Sequence, residues 1–186
     1  MRGLNKIFNI GFNKAGTSSL TRAMEILGFK SIHYLYRGKI ISKIIRENEK
    51  KNKKLLNGME NYIFFSDCFW SEDYKKLDQQ YPNSKFILTI REINSWVKSR
   101  ERHLEKEPNL KEMQEKYPTC PWWNINKKEW VKFRLKYISE LKEYFKDRPE
   151  DFLIIDIPKG EGWEKLCSFL NLPIPDKPFP LLNVKK

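Results

Sequence analysis

The sequence predicts an α/β protein: a three-layer sandwich with a mostly parallel central sheet covered by helices on both faces. Two observations carry that expectation. Short β-rich runs alternate with amphipathic helical stretches along the chain, and the run Lys85–Ile90 has the β-branched, apolar character of a strand buried on both faces. The first such run ends in a glycine-containing turn that leads directly into a helix.

Each element follows from local pattern. Lys6–Ile10 reads as the first strand. Ser18–Leu27 reads as a helix with Leu20, Ala23, Met24 and Leu27 on one face and Gly28 as its C-terminal cap. Lys30–His33 is a short strand, Ile40–Leu56 a second helix, Tyr62–Ser66 a strand and Glu72–Tyr81 a helix. After the strand Lys85–Ile90, Asn94–Glu107 is helical until Pro108. A long helix over Lys127–Lys146 sets Trp130, Phe133, Tyr137, Leu141 and Tyr144 on one stripe. Phe152–Asp156 is the last strand and Trp163–Leu170 the last helix. Pro173, Pro175, Pro178 and Pro180 prevent the tail from continuing as helix or central strand. With 186 residues, no repeat and no Gly/Ser linker, residues 1–186 are expected to form one domain.

Composition narrows the function classes. Hydrophobic residues make up 40% and aromatics 14%, enough for a packed core despite 32% charged residues, which excludes global disorder. The longest apolar runs are too short to span a bilayer, and the N-terminal apolar stretch is interrupted too early for a signal peptide. Cys68, Cys120 and Cys167 are odd in number and lack a CxxC pair. A reducing, cytoplasmic setting is therefore expected, with no cysteine-built metal site. The net charge of +12 favours an anionic ligand without identifying it. Part of that excess lies in Lys50–Lys54, which reads equally well as a solvated helix end.

In parallel sheets ligands bind where strand carboxyl ends meet helix N-termini, so the residues just after each strand are the candidates. Gly11-Phe12-Asn13-Lys14-Ala15-Gly16-Thr17-Ser18-Ser19 joins the first strand to the first helix. Glycine lets successive backbone N–H groups converge on one anion, Thr17, Ser18 and Ser19 add hydroxyls, and Lys14 adds a full charge. A nucleotide-triphosphate loop places lysine directly after its second glycine; here Thr17 follows Gly16 and the lysine stands two places before it. A phosphate loop that does not hold metal–ATP is the economical reading. Arg91 ends a strand, where its planar guanidinium can grip a phosphate, and Ser99 lies about two turns into the next helix.

Lys14-Ala15-Gly16-Thr17-Ser18 resembles the 5′-phosphosulfate loop of sulfotransferases that use 3′-phosphoadenylyl sulfate (PAPS), with its KxGTT or KxGTS core. Phe86–Arg91 followed by Ser99 resembles the family's 3′-phosphate motif, an arginine at a strand end and a serine eight residues later. Trp163–Leu170, with the proline-rich stretch to Phe179-Pro180 and Asn183, is similar to the C-terminal portion of a bacterial-type branch. The resemblance implies a P-loop NTPase-like sulfotransferase fold, with PAPS as sulfuryl donor, adenosine 3′,5′-bisphosphate (PAP) as product and no metal. It implies Lys14, Ala15, Gly16, Thr17, Ser18, Ser19, Arg91 and Ser99 as nucleotide ligands, with Lys159 in the place of the family's C-terminal phosphate contact. Cytosolic relatives often stack adenine on a tryptophan directly after the loop hydroxyls, where this chain has Ser19; Trp163 or Trp96 is the expected substitute.

Sulfuryl transfer needs charge stabilisation on the leaving oxygen, a role suited to Lys14, and a base for the acceptor proton. Asp67, directly after Tyr62–Ser66, is the preferred base and His33 the alternative. The expected partner is a small-molecule or glycan acceptor, with no nucleic acid and no membrane span. Two rival functions follow from other features. A nucleotide or small-molecule kinase would use Leu153-Ile154-Ile155-Asp156 to hold magnesium. A nucleic-acid binder would use the positive charge and aromatics, although no RNP signature, zinc spacing or base-reading helix is present.

Overall fold

In the computed structural model, residues 4–118, 120 and 122–182 are described. Asn183, part of the C-terminal resemblance, lies outside them. The chain divides into two compact units, one formed by residues up to Ile90 together with those from Arg148, the other by Arg91–Asp147.

Among the described residues, the first unit carries seven strands: β1 (Ile7–Asn9), β2 (Ser31–His33), β3 (Leu35–Tyr36), β4 (Lys39–Ile40), β5 (Phe64–Ser66), β6 (Lys85–Thr89) and β7 (Phe152–Ile155). They form one sheet in the order β4-β3-β2-β5-β1-β6-β7. The five strands β2, β5, β1, β6 and β7 are parallel, while β3 and β4 add an antiparallel edge. The expected α/β architecture with a mostly parallel sheet is therefore the observed one. Its helices are α1 (Thr17–Ile26), α2 (Ile41–Lys50), α3 (Asp73–Gln80) and α7 (Trp163–Leu170).

Strand periodicity sorts the core into two faces. Ile7, Phe64, Ile87 and Leu153 pack with Leu20, Ala23 and Met24 of α1 and with Trp163, Leu166, Cys167 and Leu170 of α7. On the other face Phe8 meets Phe65, Phe86, Phe69 and Tyr81, the residue that closes α3. Gly28 ends α1 as expected: it adopts φ +86°, its N–H bonds Glu25 O, and Phe29 N–H bonds Met24 O.

One local expectation needs correction, and one element was not expected. The second helix stops at Lys50 rather than running to Leu56, because Asn52 takes a left-handed φ of +55° and Asn48 Nδ2 donates to Leu55 O and Asn57 O, fixing a turn. The stretch between His33 and Ile41 is a tight hairpin, β3–β4, built on positive φ at Tyr34, Arg37 and Gly38.

The second unit contains α4 (Ile93–Leu104), α5 (Leu110–Lys116) and α6 (Lys127–Tyr144). Glu92 caps α4 by accepting from Asn94 N and Ser95 N. The inward stripe of α6 is Trp130, Arg134, Tyr137 and Leu141. Within this unit Arg100 lies between the rings of Trp122 and Trp130, at 4.3 and 4.8 Å, and Arg134 lies 4.8 Å from that of Trp96. Burial lowers the Arg100 guanidinium to about 10. The stretch α5, which is rich in lysine and glutamate and buries no residue, was not expected as a helix.

Candidate active site

The site in the first unit is built at the carboxyl ends of β5, β1 and β6. Asn9, 2% exposed, ties those ends together: its Nδ2 donates to Ser66 Oγ at 2.8 Å, and its Oδ1 accepts from Thr89 Oγ1 at 3.3 Å and from Gly11 N at 3.1 Å. Gly11 is required by close approach. A Cβ there would overlap Thr89 Oγ1 and lie 2.6 Å from Thr89 N. The loop then turns through Lys14 at φ +66° and Gly16 at φ +95°, and Gly16 is the N-cap of α1. No side chain caps the first turn of α1 at Gly16, and no acidic residue occupies that turn.

The turn after β7 backs this loop. A Cβ on Gly16 would come within 3.2 Å of Ile157 Cβ and 3.6 Å of Pro158 Cδ, so the Lys159–Gly160 corner adjoins it. Lys159 is exposed. Asp156, the kinase reading's magnesium ligand, serves this corner instead: its side chain accepts from Lys159 N at 3.1 Å. Among the described residues no group of three His, Cys, Asp or Glu side chains could hold a metal ion.

The two candidate bases form one arrangement. β2 and β5 run parallel with His33 opposite Ser66, so the next residue, Asp67, meets His33 beyond the strand ends. Asp67 takes φ +53°, and its Oδ2 lies 3.0 Å from His33 Nε2 and accepts from Thr17 Oγ1 at 2.9 Å. The Lys14–Ser19 loop and the two candidate bases are thereby joined through a single carboxylate oxygen. Next to them Cys68 is buried, with Sγ donating to Ser66 O at 2.8 Å, and burial pushes its thiol well above the usual range. Ser19 is 2% exposed and its Oγ accepts from Leu182 N at 2.9 Å, so the tail returns to α1.

In the second unit Arg91 donates from Nε to Ser95 Oγ at 2.8 Å, and its carbonyl accepts from Arg134 Nη2. Ser95 and Ser99 are one helical turn apart on α4, so both stand on the face that begins at Arg91. Glu101 is paired with Lys127 at 2.6 Å. Neither tryptophan suggested for adenine is presented as a platform. Trp96 is 1% exposed beside Trp130, and Trp163 packs on Phe179 and donates Nε1 to Lys177 O. Three contributors escaped the sequence reading: Asn9, Ser95 and the Thr17–Asp67 bond. An asparagine inside an otherwise apolar strand, two residues before the loop glycine, was the one visible signal.

The fold and site together are those of an α/β protein whose mostly parallel sheet carries a glycine–lysine loop at the head of its first helix and the His33–Asp67 pair at neighbouring strand ends. The comparisons give the particular family. The sequence matches the sulfotransferase domain over residues 6–186, and the chain belongs to that family. It is 26% identical over 212 residues to the "Ava biosynthesis cluster protein M" of Aspergillus versicolor, covering 94% of this chain and 79% of that protein. Its fold is similar to that of a sulfotransferase from Alicyclobacillus acidocaldarius, with a TM-score of 0.59 at 17% identity, covering 100% of this chain and 87% of the other. Among the described residues no helix is long and apolar enough to cross a membrane.

Proposed function

We propose that this protein moves a sulfuryl group from PAPS to a hydroxyl or amine of a small-molecule or glycan acceptor, and that residues 1–186 act as one catalytic domain. The observation that carries the reading is the coupling of the Lys14–Ser19 loop to Asp67 and His33 through Thr17. The loop fits an anionic donor on its own chemistry: a glycine N-cap crowded by Ile157, an open helix N-terminus and a lysine in the turn. The donor supplies an activated sulfuryl group on a 5′-phosphate. The Lys14–Ser19 backbone and hydroxyls would hold that end, with Lys159 adding charge from the adjoining corner. Arg91 and Ser99 are assigned to the 3′-phosphate on their motif, and Ser95 steadies the arginine.

Lys14 opposes the negative charge that grows on the leaving oxygen. Asp67 accepts the acceptor proton, and His33 orients and shares it across the 3.0 Å contact. The biosynthesis cluster in the fungal relative's name favours a small-molecule acceptor. Free cysteines at 68, 120 and 167 support a cytoplasmic location. The test is transfer of labelled sulfate from PAPS across a panel of phenols, sugars and amines. Metal-independent transfer to one class supports the proposal. No transfer to any, combined with phosphate transfer from magnesium–ATP, overturns it.

A further inference from the structure

Thr17 stands at the junction of the two halves of this site. It opens α1 directly after the loop, is 4% exposed, and spends its hydroxyl proton on Asp67 Oδ2 at 2.9 Å. A threonine hydroxyl has one proton to donate and two lone pairs. The same Oδ2 also meets His33 Nε2 at 3.0 Å, so that oxygen is already engaged twice before any acceptor arrives. An anion seated at the α1 N-terminus lies within the loop that Thr17 closes, and competes with Asp67 for that one proton.

We propose that Thr17 is a positioning residue that transfers its hydrogen bond from Asp67 to the anion when the donor nucleotide binds, opening Oδ2 to the acceptor's hydroxyl or amine. No covalent bond changes: the proton stays on Thr17 Oγ1 and only its partner is exchanged. Oδ2 is thus held by two partners in the empty protein and by His33 alone once the donor is bound, while the second carboxylate oxygen takes no part in the exchange. His33 keeps its contact with Asp67 throughout, and the buried Cys68 thiol remains neutral beside them. The inference rests on the nucleotide reading of the loop.

The test uses the full chain with carbon-13 in the aspartate carboxyl groups, the Asp67 signal being assigned by its loss in Asp67→Asn, at one fixed neutral pH. PAP is titrated into wild type, Thr17→Val and Thr17→Ser, with calorimetry confirming binding. In wild type, saturating PAP is expected to move the Asp67 signal toward the position it holds in nucleotide-free Thr17→Val. Thr17→Ser should behave as wild type, and the signal of Thr17→Val should move less than half as far. The nucleotide-free Thr17→Val spectrum serves as the reference, so the comparison stands even if that variant binds PAP weakly. PAP binding that leaves the wild-type signal unmoved, or moves wild type and Thr17→Val equally, overturns the exchange while sparing the nucleotide reading. If PAP binds none of the three proteins, the nucleotide reading fails and the exchange fails with it.

Discussion

Gly11→Ala probes the foundation of the loop between β1 and α1. The added Cβ would overlap Thr89 Oγ1 and sit 2.6 Å from Thr89 N and 2.7 Å from Thr89 O, where ordinary contact begins at 3.4 Å. Two of these atoms are backbone of β6, so no rotamer change relieves the clash. The strand end must retreat by about 0.8 Å, and overpacking of this kind costs about 1–3 kcal/mol. The retreat also stretches the adjacent Ile10 N–Ile87 O bond of 2.8 Å, adding about 1 kcal/mol. The total of about 2–4 kcal/mol corresponds to a fall in Tm of roughly 5–15 °C for a chain of this size. Gly28→Ala is the control, because it has φ +86° and nothing within 4 Å of an added Cβ. It should cost only about 1–2 kcal/mol of left-handed strain. Circular-dichroism melts of both variants decide the matter. If Gly28→Ala lowers Tm as much as Gly11→Ala, crowding by β6 is not what reserves position 11 for glycine.

Three further outcomes are expected. Lys14→Ala should lower kcat by about ten- to a hundredfold while changing PAP affinity less, since its charge matters most as the leaving oxygen becomes negative; steady-state kinetics beside calorimetry separate the two. Arg91→Ala should weaken PAP by about one to two decades and leave 5′-AMP binding unchanged, because its assigned partner is the 3′-phosphate. Arg46→Met should cost about 3–5 kcal/mol at neutral pH, because it strips Asp73, 1% exposed, of its 2.5 Å partner. Burial already raises the Asp73 carboxyl above its usual range. A group whose folded value is raised contributes stability in acid that is lost as pH rises through that value. The Arg46→Met deficit should therefore shrink in melts at acid pH, and an equal deficit in acid and at neutrality would contradict this account.

The parts of the fold legible in the sequence were those with strong local signals. The α1 stripe, the Gly28 cap and the apolar strands each show in a window of a few residues. The hairpin β3–β4 did not, because its strands are two residues each and depend on left-handed backbone at Tyr34 and Arg37, residue types that do not announce it. Leu55 and Leu56 imitated a continuing helix because they are buried by a turn that side chains of Asn48 hold in place. At the site, Asp67 and His33 stood out separately as titratable residues after strands. Their pairing did not, since it arises from the β2–β5 register across 34 positions. The same holds for Thr17 and Asp67, 50 residues apart.

Calorimetric titration of the wild-type protein with PAP, 5′-AMP and magnesium–ATP tests the central claim most directly. On the proposed reading, in which the Lys14–Ser19 loop and the Arg91–Ser99 motif each contact one phosphate by their sequence motifs, PAP should bind about ten- to a hundredfold more tightly than 5′-AMP, the worth of one charge-assisted contact of about 1.5–3 kcal/mol. Equal affinities for PAP and 5′-AMP, or tighter binding of magnesium–ATP than of PAP, would contradict the proposal that this sulfotransferase-family chain uses PAPS.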